Sequence, residues 1–370
     1  MDKALYLGLI SGTSADAIDL ALLDCGGDRP VLVASGEQPL STALQSAIQQ
    51  VVESSDGGSV DQMLALDDAI AEAFAAAARV FLIAQRVSPA QLAACGSHGQ
   101  TLRHQLGGTR NRTLQAGNPA LLATELGVPV VADFRRSDIA AGGEGAPLVP
   151  LFHACLFASD AQARAVLNLG GIANLTLLPP SGTITGFDTG PANALLDLWA
   201  QHHLQRPCDH DGAWARSGSL DTALLERLLD EPYFTIAPPK STGRTQFGWP
   251  WLLMRLGSST LPPADVQRTL TELTAVSVAR ALQRQQPATE LLLVCGGGSR
   301  NRFLLERLAA QLPDQQLAST AAYGMDPDMV EAAAFAWLAH RRLRGEPGNA
   351  PGATGARRSA PLGAIYLPSC

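Results

Sequence analysis

The sequence predicts an α/β protein built from two domains of related design. The chain has 370 residues, more than one ordinary compact core holds. Apolar strand-like runs alternate along it with segments of helical periodicity. Two stretches, beginning at Ala4 and Ala165, share one order: an apolar run, a turn of small residues and a second apolar run. We interpret them as a weak internal repeat that marks the two domains, with two unrelated hairpins as the alternative.

Composition excludes several classes of protein. Hydrophobic residues make up 46% of the chain and charged residues 16%, which is typical of a well-packed enzyme. The formal net charge of −7 argues against sequence-independent nucleic-acid binding, so a small-molecule partner is expected. The six cysteines are widely spaced, and neither a disulfide framework nor a thiolate zinc site is expected. No apolar run has the length of a membrane span, and we expect a cytoplasmic protein.

The first quarter of the chain predicts strands and one long helix. Residues 4–25 read as strand, tight polar turn and strand. Apolar residues three and four apart over residues 60–85 predict a helix with a continuous buried face. A short strand at 92–96 is expected to run into a polar loop at 97–101. Within that loop, His98 is either a ligand contact or an ordinary loop histidine.

The next segment joins the two expected domains. Asn118 and Pro119 predict the N-cap and first residue of a helix. After a short strand at 128–132, Arg135 and Arg136 predict either a fork for a carboxylate or phosphate, or an exposed ion pair. Small residues dominate 140–150, which predicts a hinge. We expect an N-terminal domain of residues 1–137 with 353–370, and a C-terminal domain of residues 138–352.

The stretch 165–196 carries the first indication of chemistry. An apolar run meets a Gly-Gly turn, a second run follows, and the sequence Gly-Phe-Asp-Thr-Gly-Pro leads into a helix expected from Pro191. Glycines on either side of Asp188 allow a backbone to approach a phosphate closely. We therefore expect Asp188 to lie beside a polyanion, which suggests phosphoryl chemistry.

Two loops follow that stretch. Residues 201–218 hold three histidines, a cysteine and two acids, but their spacing matches no zinc or EF-hand pattern, so a polar surface loop is expected. Residues 238–248 carry Lys240 and Arg244 between prolines and glycines. This segment is either a mobile lid or a connector.

The last third predicts helices and a returning strand. Residues 264–285 have helical periodicity, and 291–301 read as strand, three glycines and a helix from near Asn301. Pro327 is expected at the first position of a final helix, with Glu331 in its first turns. A loop and a short returning strand are expected to end the chain.

Small-residue turns near Gly12, Gly170 and Gly296 each follow an apolar run, a combination that suits a nucleotide held between two domains. The chain has no P-loop motif, no GxGxxG fingerprint and no GxSxG elbow. Backbone amides, magnesium and arginine would then neutralise phosphate charge. Asp16, Asp19 and Asp188 are the candidate acids to hold a hydrated metal or to act as a base.

These residues resemble the anhydro-N-acetylmuramic acid kinase family, within the actin-like, sugar-kinase and heat-shock ATPase superfamily. The resemblance runs nearly end to end, and GFDTGP, SGTSxD and DFRRxDIAAGG are specific to the family rather than to the superfamily. The other matching motifs are GSHGQTLRH, LQAGNPALLA, LNLGGIANLT, PPKSTGR, VCGGGSRN, VEAAAFAWLA and LGAIYLP.

The resemblance implies two ribonuclease-H-like (actin-like ATPase) domains with a nucleotide and sugar cleft between them, and ATP with Mg²⁺ as cofactors. It implies a kinase that hydrolytically opens 1,6-anhydro-N-acetylmuramic acid and phosphorylates O6, giving N-acetylmuramic acid 6-phosphate in peptidoglycan recycling. The partners are then the anhydro amino sugar, ATP and water. A conventional sugar kinase and a non-catalytic nucleotide-driven clamp remain alternatives, and a homodimer is compatible with the sequence.

Residue by residue, the resemblance makes Asp188 the catalytic base and Asp16 the candidate magnesium ligand. The sugar-binding candidates are His98, Arg135 and Glu331. The ATP-binding candidates are Gly12, Thr13, Ser14, Ala15, Asp16, Ala17, Ile18, Asp19, Gly170, Gly171, Gly190, Gly296, Gly297 and Gly298. Three residues depart from the usual family pattern, namely Ala15, Ala17 and Glu144. The alanine at 17 lacks the backbone freedom of the usual glycine, which is expected to alter the phosphate turn.

Overall fold

A computed structural model of the chain describes residues 4–12, 15–54, 58–107, 109–243 and 246–369. Thr13 and Ser14 of the expected ATP-binding turn, and Arg244 of the 238–248 loop, lie outside the described residues. The described residues form twelve strands: β1 Leu5–Ser11, β2 Ala17–Asp24, β3 Val31–Pro39, β4 Leu92–Gln105, β5 Arg112–Ala116, β6 Val130–Ala132, β7 Arg164–Leu169, β8 Ile172–Leu178, β9 Thr185–Pro191, β10 Leu291–Cys295, β11 Gln316–Ser319 and β12 Ala364–Tyr366.

The same residues form thirteen α-helices, joined in places by 3-10 turns. They are α1 Thr42–Glu53, α2 Val60–Ala84, α3 Pro119–Leu126, α4 Phe134–Ala140, α5 Pro150–Phe157, α6 Asn193–Leu204, α7 Ala213–Ser217, α8 Thr222–Leu229, α9 Trp249–Leu256, α10 Pro263–Gln285, α11 Arg302–Gln311, α12 Val330–Leu343 and α13 Pro351–Thr354. None of the helices in the described ranges combines the length and apolar character needed to cross a bilayer.

The chain divides into two compact units. The first comprises Met1–Leu156 with Gly324–Cys370, and the second comprises Phe157–Tyr323. In the first unit the strands lie in the order β12-β6-β4-β1-β2-β3, with β5 on the far end of β4. Strands β1, β2 and β3 are antiparallel neighbours, whereas β4 runs parallel to both β1 and β6.

The first sheet is covered by helices on both faces. On one face, Leu7 and Leu9 join a core with Ile70 and Phe74 of α2. On the other face, α12 packs so closely that a Cβ at Gly8 would overlap the carbonyl oxygen of Ala332. Successive residues of β1 lie on opposite faces of the sheet, so Gly8 lies on one face and Leu7 and Leu9 lie on the other. Both faces of this mostly apolar strand are therefore buried.

The second unit repeats this topology. Its strands lie in the order β11-β10-β7-β8-β9, with β7, β8 and β9 antiparallel and with β10 parallel to both β7 and β11. Each unit therefore has three antiparallel strands followed by two parallel ones, which is the ribonuclease-H-like arrangement. The internal repeat is confirmed, because its two predicted starts coincide with β1 and β7. The predicted α/β fold of two such domains is confirmed with it.

The division between units differs from the predicted boundaries. The chain passes from one unit to the other at 156/157 and 323/324 rather than at 137/138 and 352/353. Helix α12 belongs to the first unit because it packs against β1 and β4. The 140–150 segment also lies within the first unit, where buried Asp138 accepts hydrogen bonds from Asn349 and Thr354. The predicted hinge is therefore an internal loop of that unit.

Element boundaries follow local signals closely where those signals are strong. The helices expected at 60–85 and 264–285 are confirmed as α2 and α10, and the N-caps at Asn118 and Asn301 are confirmed by their side-chain hydrogen bonds. The returning strand is confirmed as β12, which pairs with β6.

Three boundaries differ from the predictions. The polar loop expected at 97–101 is wrong, because β5 pairs with the second half of β4 and keeps it extended to Gln105. Helix α6 begins at Asn193 because β9 continues through Pro191. Helix α12 begins at Val330, after a turn in which the Met329 N–H donates to the Asp326 carbonyl oxygen at 3.1 Å.

Candidate functional site

Asp188 lies near the end of β9, an outer strand of the second sheet. It pairs with Asn174 of β8, next to a register shift in the ladder. Phe187 on the preceding position is buried in the core below the sheet, and Thr189 on the following position is buried as well. Because successive side chains of a strand point to opposite faces, the Asp188 carboxylate points away from the core that holds Phe187.

Asp188 exchanges hydrogen bonds with one later segment, residues 233–242. The Thr242 N–H donates to Asp188 Oδ2 at 2.9 Å, and the Tyr233 hydroxyl donates to the Asp188 carbonyl oxygen at 2.9 Å. The Asp188 N–H donates to the Lys240 carbonyl oxygen at 3.1 Å. A backbone N–H therefore orients the carboxylate. The main-chain N–H and carbonyl oxygen of Asp188 are both hydrogen-bonded to the same segment.

Lys240 is buried within the same segment. Its Nζ donates to the Tyr233 carbonyl oxygen at 3.0 Å and lies 4.4 Å from the centre of the Tyr233 ring. Burial and, to a smaller extent, the positive charge of Arg284 lower the pKa of Lys240 to about 8 against the opposing effect of the negative charge of Asp188. The only lysine within the described residues thus lies where its charge acts on Asp188.

Two glycine turns of the second unit lie side by side at one end of its sheet. Strands β7 and β10 are parallel neighbours, so the Gly170-Gly171 turn after β7 lies beside the turn Gly297–Arg300 after β10. Asn193, at the start of α6, links the group: its N–H donates to the Gly170 carbonyl oxygen at 3.1 Å and its Nδ2 to the Leu169 carbonyl oxygen at 3.0 Å.

Each glycine of the 296–298 run meets different surroundings. Gly296 has φ +79°, in the left-handed region, and a Cβ there would overlap the Asn168 side chain. At Gly298 a Cβ would lie 2.7 Å from the Leu169 Cβ. At Gly297 a Cβ would meet no atom of the described residues within 4 Å. Packing therefore explains Gly296 and Gly298, whereas Gly297 borders open space that a ligand can enter.

Gly190 has a packing role. A Cβ at this position would lie 2.6 Å from the Phe234 ring, so β9 contacts the 3-10 turn Pro232–Thr235 directly. That turn also carries Tyr233, whose hydroxyl holds Asp188. Gly190 thus allows the segment that fixes Asp188 to approach the strand.

In the first unit, the turn between β1 and β2 begins at Gly12. Gln100 Nε2 donates to the Gly12 carbonyl oxygen at 3.2 Å, and the Ala15 N–H donates to the same oxygen at 3.1 Å. Ala15 is in the left-handed region, with φ 53°, whereas Ala17 is the first residue of β2. Among the described residues of this turn, the unusual backbone angle therefore falls on Ala15 and not on Ala17, and the expectation that Ala17 alters the phosphate turn stays a prediction.

Asp19 faces a concentration of negative charge. It pairs with Glu37 across β2 and β3 and lies on the face that α12 covers, near Glu331. Burial, together with the neighbouring negative charges, raises the pKa of Asp19 to about 7; those charges belong to Glu37, Glu331, Asp16 and Asp328. Such a group of carboxylates would be stabilised by a cation. Within the described residues, no three acidic, histidine or cysteine side chains are placed to hold a metal directly.

His98 and Arg135 are joined directly. The Arg135 Nε donates to His98 Nε2 at 2.8 Å, so His98 Nδ1 carries the proton and donates to the Gly99 carbonyl oxygen at 2.9 Å. The His98 ring is buried and lies 4.6 Å from that of Phe335. Burial lowers the pKa of His98 well below its usual value, and the Arg135 charge adds to this effect. Both ring nitrogens are engaged, so the geometry does not favour the predicted sugar contact.

Arg135 connects His98 to Glu331. Its Nη1 donates to the Gly145 carbonyl oxygen at 2.8 Å, which fixes the guanidinium between α4 and the 140–150 loop. Glu331 lies in the first turn of α12, where loss of hydration raises the pKa of its carboxyl group and the Arg135 charge opposes that rise. The structure thus brings His98, Arg135 and Glu331 together.

Three residues that contact Asp188 were missed in the sequence: Tyr233, Lys240 and Thr242. Lys240 and Thr242 belong to the PPKSTGR motif. Nothing in that motif indicates that these residues contact Asp188, which lies 52 and 54 residues earlier in the chain.

Glu144 departs from the family pattern and lies in the 140–150 loop. The Glu144 N–H donates to the Thr354 carbonyl oxygen at 2.7 Å, and burial raises the pKa of the Glu144 carboxyl group. The segment 201–218, expected to be a polar surface loop, instead contains the end of α6, a 3-10 turn at His210–Gly212 and α7.

Comparison with known families gives a match over almost the whole chain. The model of the family described as "Anhydro-N-acetylmuramic acid kinase" matches residues 4–368. The chain is 50% identical over 365 residues to a protein of that name from Xanthomonas campestris pv. campestris (strain 8004), covering 98% of this chain and 97% of the relative. It is 48% identical over 369 residues to one from Chromohalobacter salexigens, covering 98% and 99%.

Solved structures are more distant. A ROK family glucokinase from Streptomyces griseus in complex with glucose and AMPPNP is 12% identical, with a TM-score of 0.42 over 91% of this chain and 99% of that one. The activator of 2-hydroxyisocaproyl-CoA dehydratase from Clostridium difficile with bound ADPNP is 11% identical, with a TM-score of 0.45 over 92% and 96%.

Proposed function

This chain belongs to the anhydro-N-acetylmuramic acid kinase family, and we propose that it converts 1,6-anhydro-N-acetylmuramic acid to N-acetylmuramic acid 6-phosphate in cell-wall recycling. As a member of a kinase family it uses ATP as phosphoryl donor. The curated relatives are named as kinases, which favours an enzyme over a nucleotide-driven clamp.

The reaction has to combine hydrolysis with phosphoryl transfer. In the anhydro sugar O6 is bonded to C1 and carries no proton, so a base must act on water instead. The water oxygen bonds to C1 while the C1–O6 bond breaks. The electron pair of the C1–O6 bond passes to O6. O6 then bonds to the γ-phosphorus as the bond from that phosphorus to the β,γ-bridging oxygen breaks, which releases ADP. The water proton goes to the base.

Asp188 is the residue we propose as that base. The observation that carries the proposal is the orientation of its carboxylate by the Thr242 N–H, on a strand that Tyr233 and Lys240 hold at both main-chain groups. A general base has to be held in a fixed geometry to act on water, and such a base contributes on the order of 10²- to 10⁴-fold to the rate.

For the nucleotide, we propose contacts with glycine turns. Gly297 borders open space beside the Gly170-Gly171 turn, which suits the approach of a nucleotide to the backbone. In the first unit, the turn from Gly12 to Asp19 is proposed to face phosphate, with Ala15 shaping it.

We also propose that Asp16 and Asp19 hold hydrated Mg²⁺. The raised pKa of Asp19 among neighbouring carboxylates fits a dication, and Mg²⁺ is commonly held by one or two carboxylates while it keeps several waters. When bound, magnesium would neutralise phosphate charge. Arg135 and Glu331 are the proposed sugar contacts, with His98 behind Arg135.

The catalytic role of Asp188 is tested with Asp188→Asn. Asparagine keeps an oxygen that can accept the Thr242 hydrogen bond but cannot take a proton from water. We expect ATP affinity within a few-fold of wild type and turnover reduced by more than about 100-fold. If the variant keeps more than about a tenth of the wild-type rate, Asp188 is not the base.

A conventional sugar kinase, in which Asp188 would deprotonate a free hydroxyl, is distinguished by the reaction in ¹⁸O-water. Hydrolytic opening must place one labelled oxygen on C1 of the product, whereas phosphorylation of a free hydroxyl leaves the sugar unlabelled. The product is quenched early and analysed by mass spectrometry, with the reducing sugar incubated alone as the control for spontaneous exchange. Unlabelled product at early times would exclude the hydrolytic reaction.

A further inference from the structure

One circuit of hydrogen bonds surrounds Asp188. The Lys240 side chain donates to the Tyr233 carbonyl oxygen, the Tyr233 hydroxyl donates to the Asp188 carbonyl oxygen, and the Asp188 N–H donates to the Lys240 carbonyl oxygen. The circuit therefore begins and ends on Lys240. Thr242, two residues further along, holds the carboxylate itself through its N–H.

The centre of this circuit is buried. Lys240 is 9% exposed and Tyr233 is 4% exposed, and the ammonium group lies against the face of the tyrosine ring. A buried ammonium is retained at a considerable desolvation cost unless hydrogen bonds and a nearby negative charge offset it. Here the Tyr233 carbonyl oxygen supplies the hydrogen bond and Asp188 supplies the charge.

Resting on the proposed role of Asp188 as base, we propose that Lys240 is its positioning residue, which holds the 233–242 segment against β9 and keeps the Asp188 carboxylate ionised. The side chain acts through Asp188 rather than on the sugar or the nucleotide. The family match by itself assigns no role to this lysine.

The electrostatic part of this role has a defined direction. A cation near a carboxylate favours the ionised form and so lowers the carboxylate pKa. The charged groups whose fields act on Lys240 are Asp188 of β9 and Arg284 of α10. Arg284 is exposed and donates to the Phe234 carbonyl oxygen. Of these two positive charges, only that of Lys240 is buried.

The tests are Lys240→Met, which keeps the length of the side chain without charge or donor, and Lys240→Arg, which keeps both. We expect Lys240→Met to lower kcat about tenfold, to leave the KM for ATP unchanged and to move the acidic limb of the kcat/KM profile upward by about one pH unit. Lys240→Arg should restore the position of the limb and most of the rate.

Two further variants separate charge from position. Tyr233→Phe removes the hydroxyl that holds Asp188 but no charge, so it should lower kcat without moving the acidic limb. Arg206→Gln removes a positive charge from an exposed position of the same unit and should change neither. Circular dichroism and thermal unfolding show whether each variant is folded.

Failure of this inference is distinct from failure of the proposed function. If Asp188→Asn abolishes turnover while Lys240→Met keeps the wild-type kcat and acidic limb, Lys240 has no positioning role and the base assignment stands. If Lys240→Met loses rate but its limb stays in place and Lys240→Arg does not recover, the residue is only structural and the inference is overturned. If Asp188→Asn remains active, the base assignment and this inference are both overturned.

Discussion

His98 accepts a 2.8 Å hydrogen bond from Arg135, and its second ring nitrogen is bonded to the Gly99 carbonyl oxygen. A neutral histidine offers one donor and one acceptor, so this ring has none left for a substrate. Its effect on the reaction must pass through Arg135, whose charge also acts on Glu331.

Replacing His98 by alanine should therefore lower activity only while Arg135 is present. We expect His98→Ala to reduce kcat/KM for the sugar about tenfold and Arg135→Ala to reduce it by more, with coupling of about 1 kcal/mol in a double-mutant cycle. Adding His98→Ala to Arg135→Ala should then have little further effect. Fully additive losses would instead show that His98 acts independently of Arg135.

A substitution at Gly297 tests whether this glycine contacts the nucleotide or only forms a turn. Since a Cβ here meets open space, Gly297→Ala should change the free energy of unfolding by less than about 1 kcal/mol while weakening ATP binding about tenfold. Gly298→Ala is the contrasting variant, because its Cβ would lie 2.7 Å from that of Leu169 and should destabilise the fold. Calorimetric titration with ATP decides the point, and wild-type affinity in Gly297→Ala would remove this glycine from the nucleotide site.

Asp19 should make stability depend on pH and on magnesium. Its pKa is raised from 3.8 to about 7 in the folded protein. Between these two pH values the folded protein keeps a proton on Asp19 that the unfolded chain releases, so the free energy of unfolding decreases as the pH rises from 3.8 to about 7. Asp19→Asn should therefore be more stable than wild type at pH 8, by roughly 1–4 kcal/mol, but not at pH 4.

Magnesium should reduce that difference. If Mg²⁺ binds these carboxylates, it raises the unfolding temperature of the wild type at pH 8 more than that of Asp19→Asn. Calcium and a monovalent salt at equal ionic strength serve as controls for charge screening. An equal response of both proteins to Mg²⁺ would argue against a metal at Asp19.

Asp138 should be essential for the stability of the first unit. It is fully buried and accepts hydrogen bonds from the Gly145 N–H, Asn349 Nδ2 and Thr354 Oγ1 at 2.7–2.9 Å. Asp138→Ala leaves all three donors without this acceptor, and we expect a loss of about 3–5 kcal/mol in the free energy of unfolding. The exposed Asp160→Ala is the matched control and should change it by less than about 0.5 kcal/mol. Comparable urea midpoints for the two variants would contradict this role.

The two alanines of the β1–β2 turn should respond in different ways to glycine. Ala15→Gly relieves a left-handed backbone but loses a buried methyl group, so its stability should stay within about 1 kcal/mol of wild type. Ala17→Gly weakens a strand residue and should lose about 1 kcal/mol. A gain in stability from Ala17→Gly, measured by denaturant unfolding, would show that position 17 is the strained one.

Much of the fold was predictable because its signals are local. Apolar residues three and four apart determine one face of α2 and α10 whatever the rest of the chain does. Asn118 and Asn301 bond to backbone N–H groups no more than three residues away. The repeat was readable because each unit begins with the same order of strand, small-residue turn and strand.

The errors arose where distant segments decide the local structure. Residues 97–101 look like a polar loop until β5 supplies a pairing partner. The small residues at 140–150 look like a hinge until Asn349 and Thr354 bond to Asp138, more than 200 residues earlier. Polarity and small side chains can be read from a segment by itself. The conformation of the segment also depends on the distant residues that accept or donate its hydrogen bonds.

The sequence by itself determined the candidate site residues, the family they resemble and the repeated order of strands, since these depend on residue identity and short-range spacing. Only the tertiary structure decided what surrounds Asp188: the Thr242 N–H on its carboxylate, the Tyr233 hydroxyl on its carbonyl oxygen and the buried charge of Lys240. Those partners lie 45 to 54 residues away along the chain. Hydrogen bonding and electrostatics act through space, and folding alone brings such groups within reach of each other.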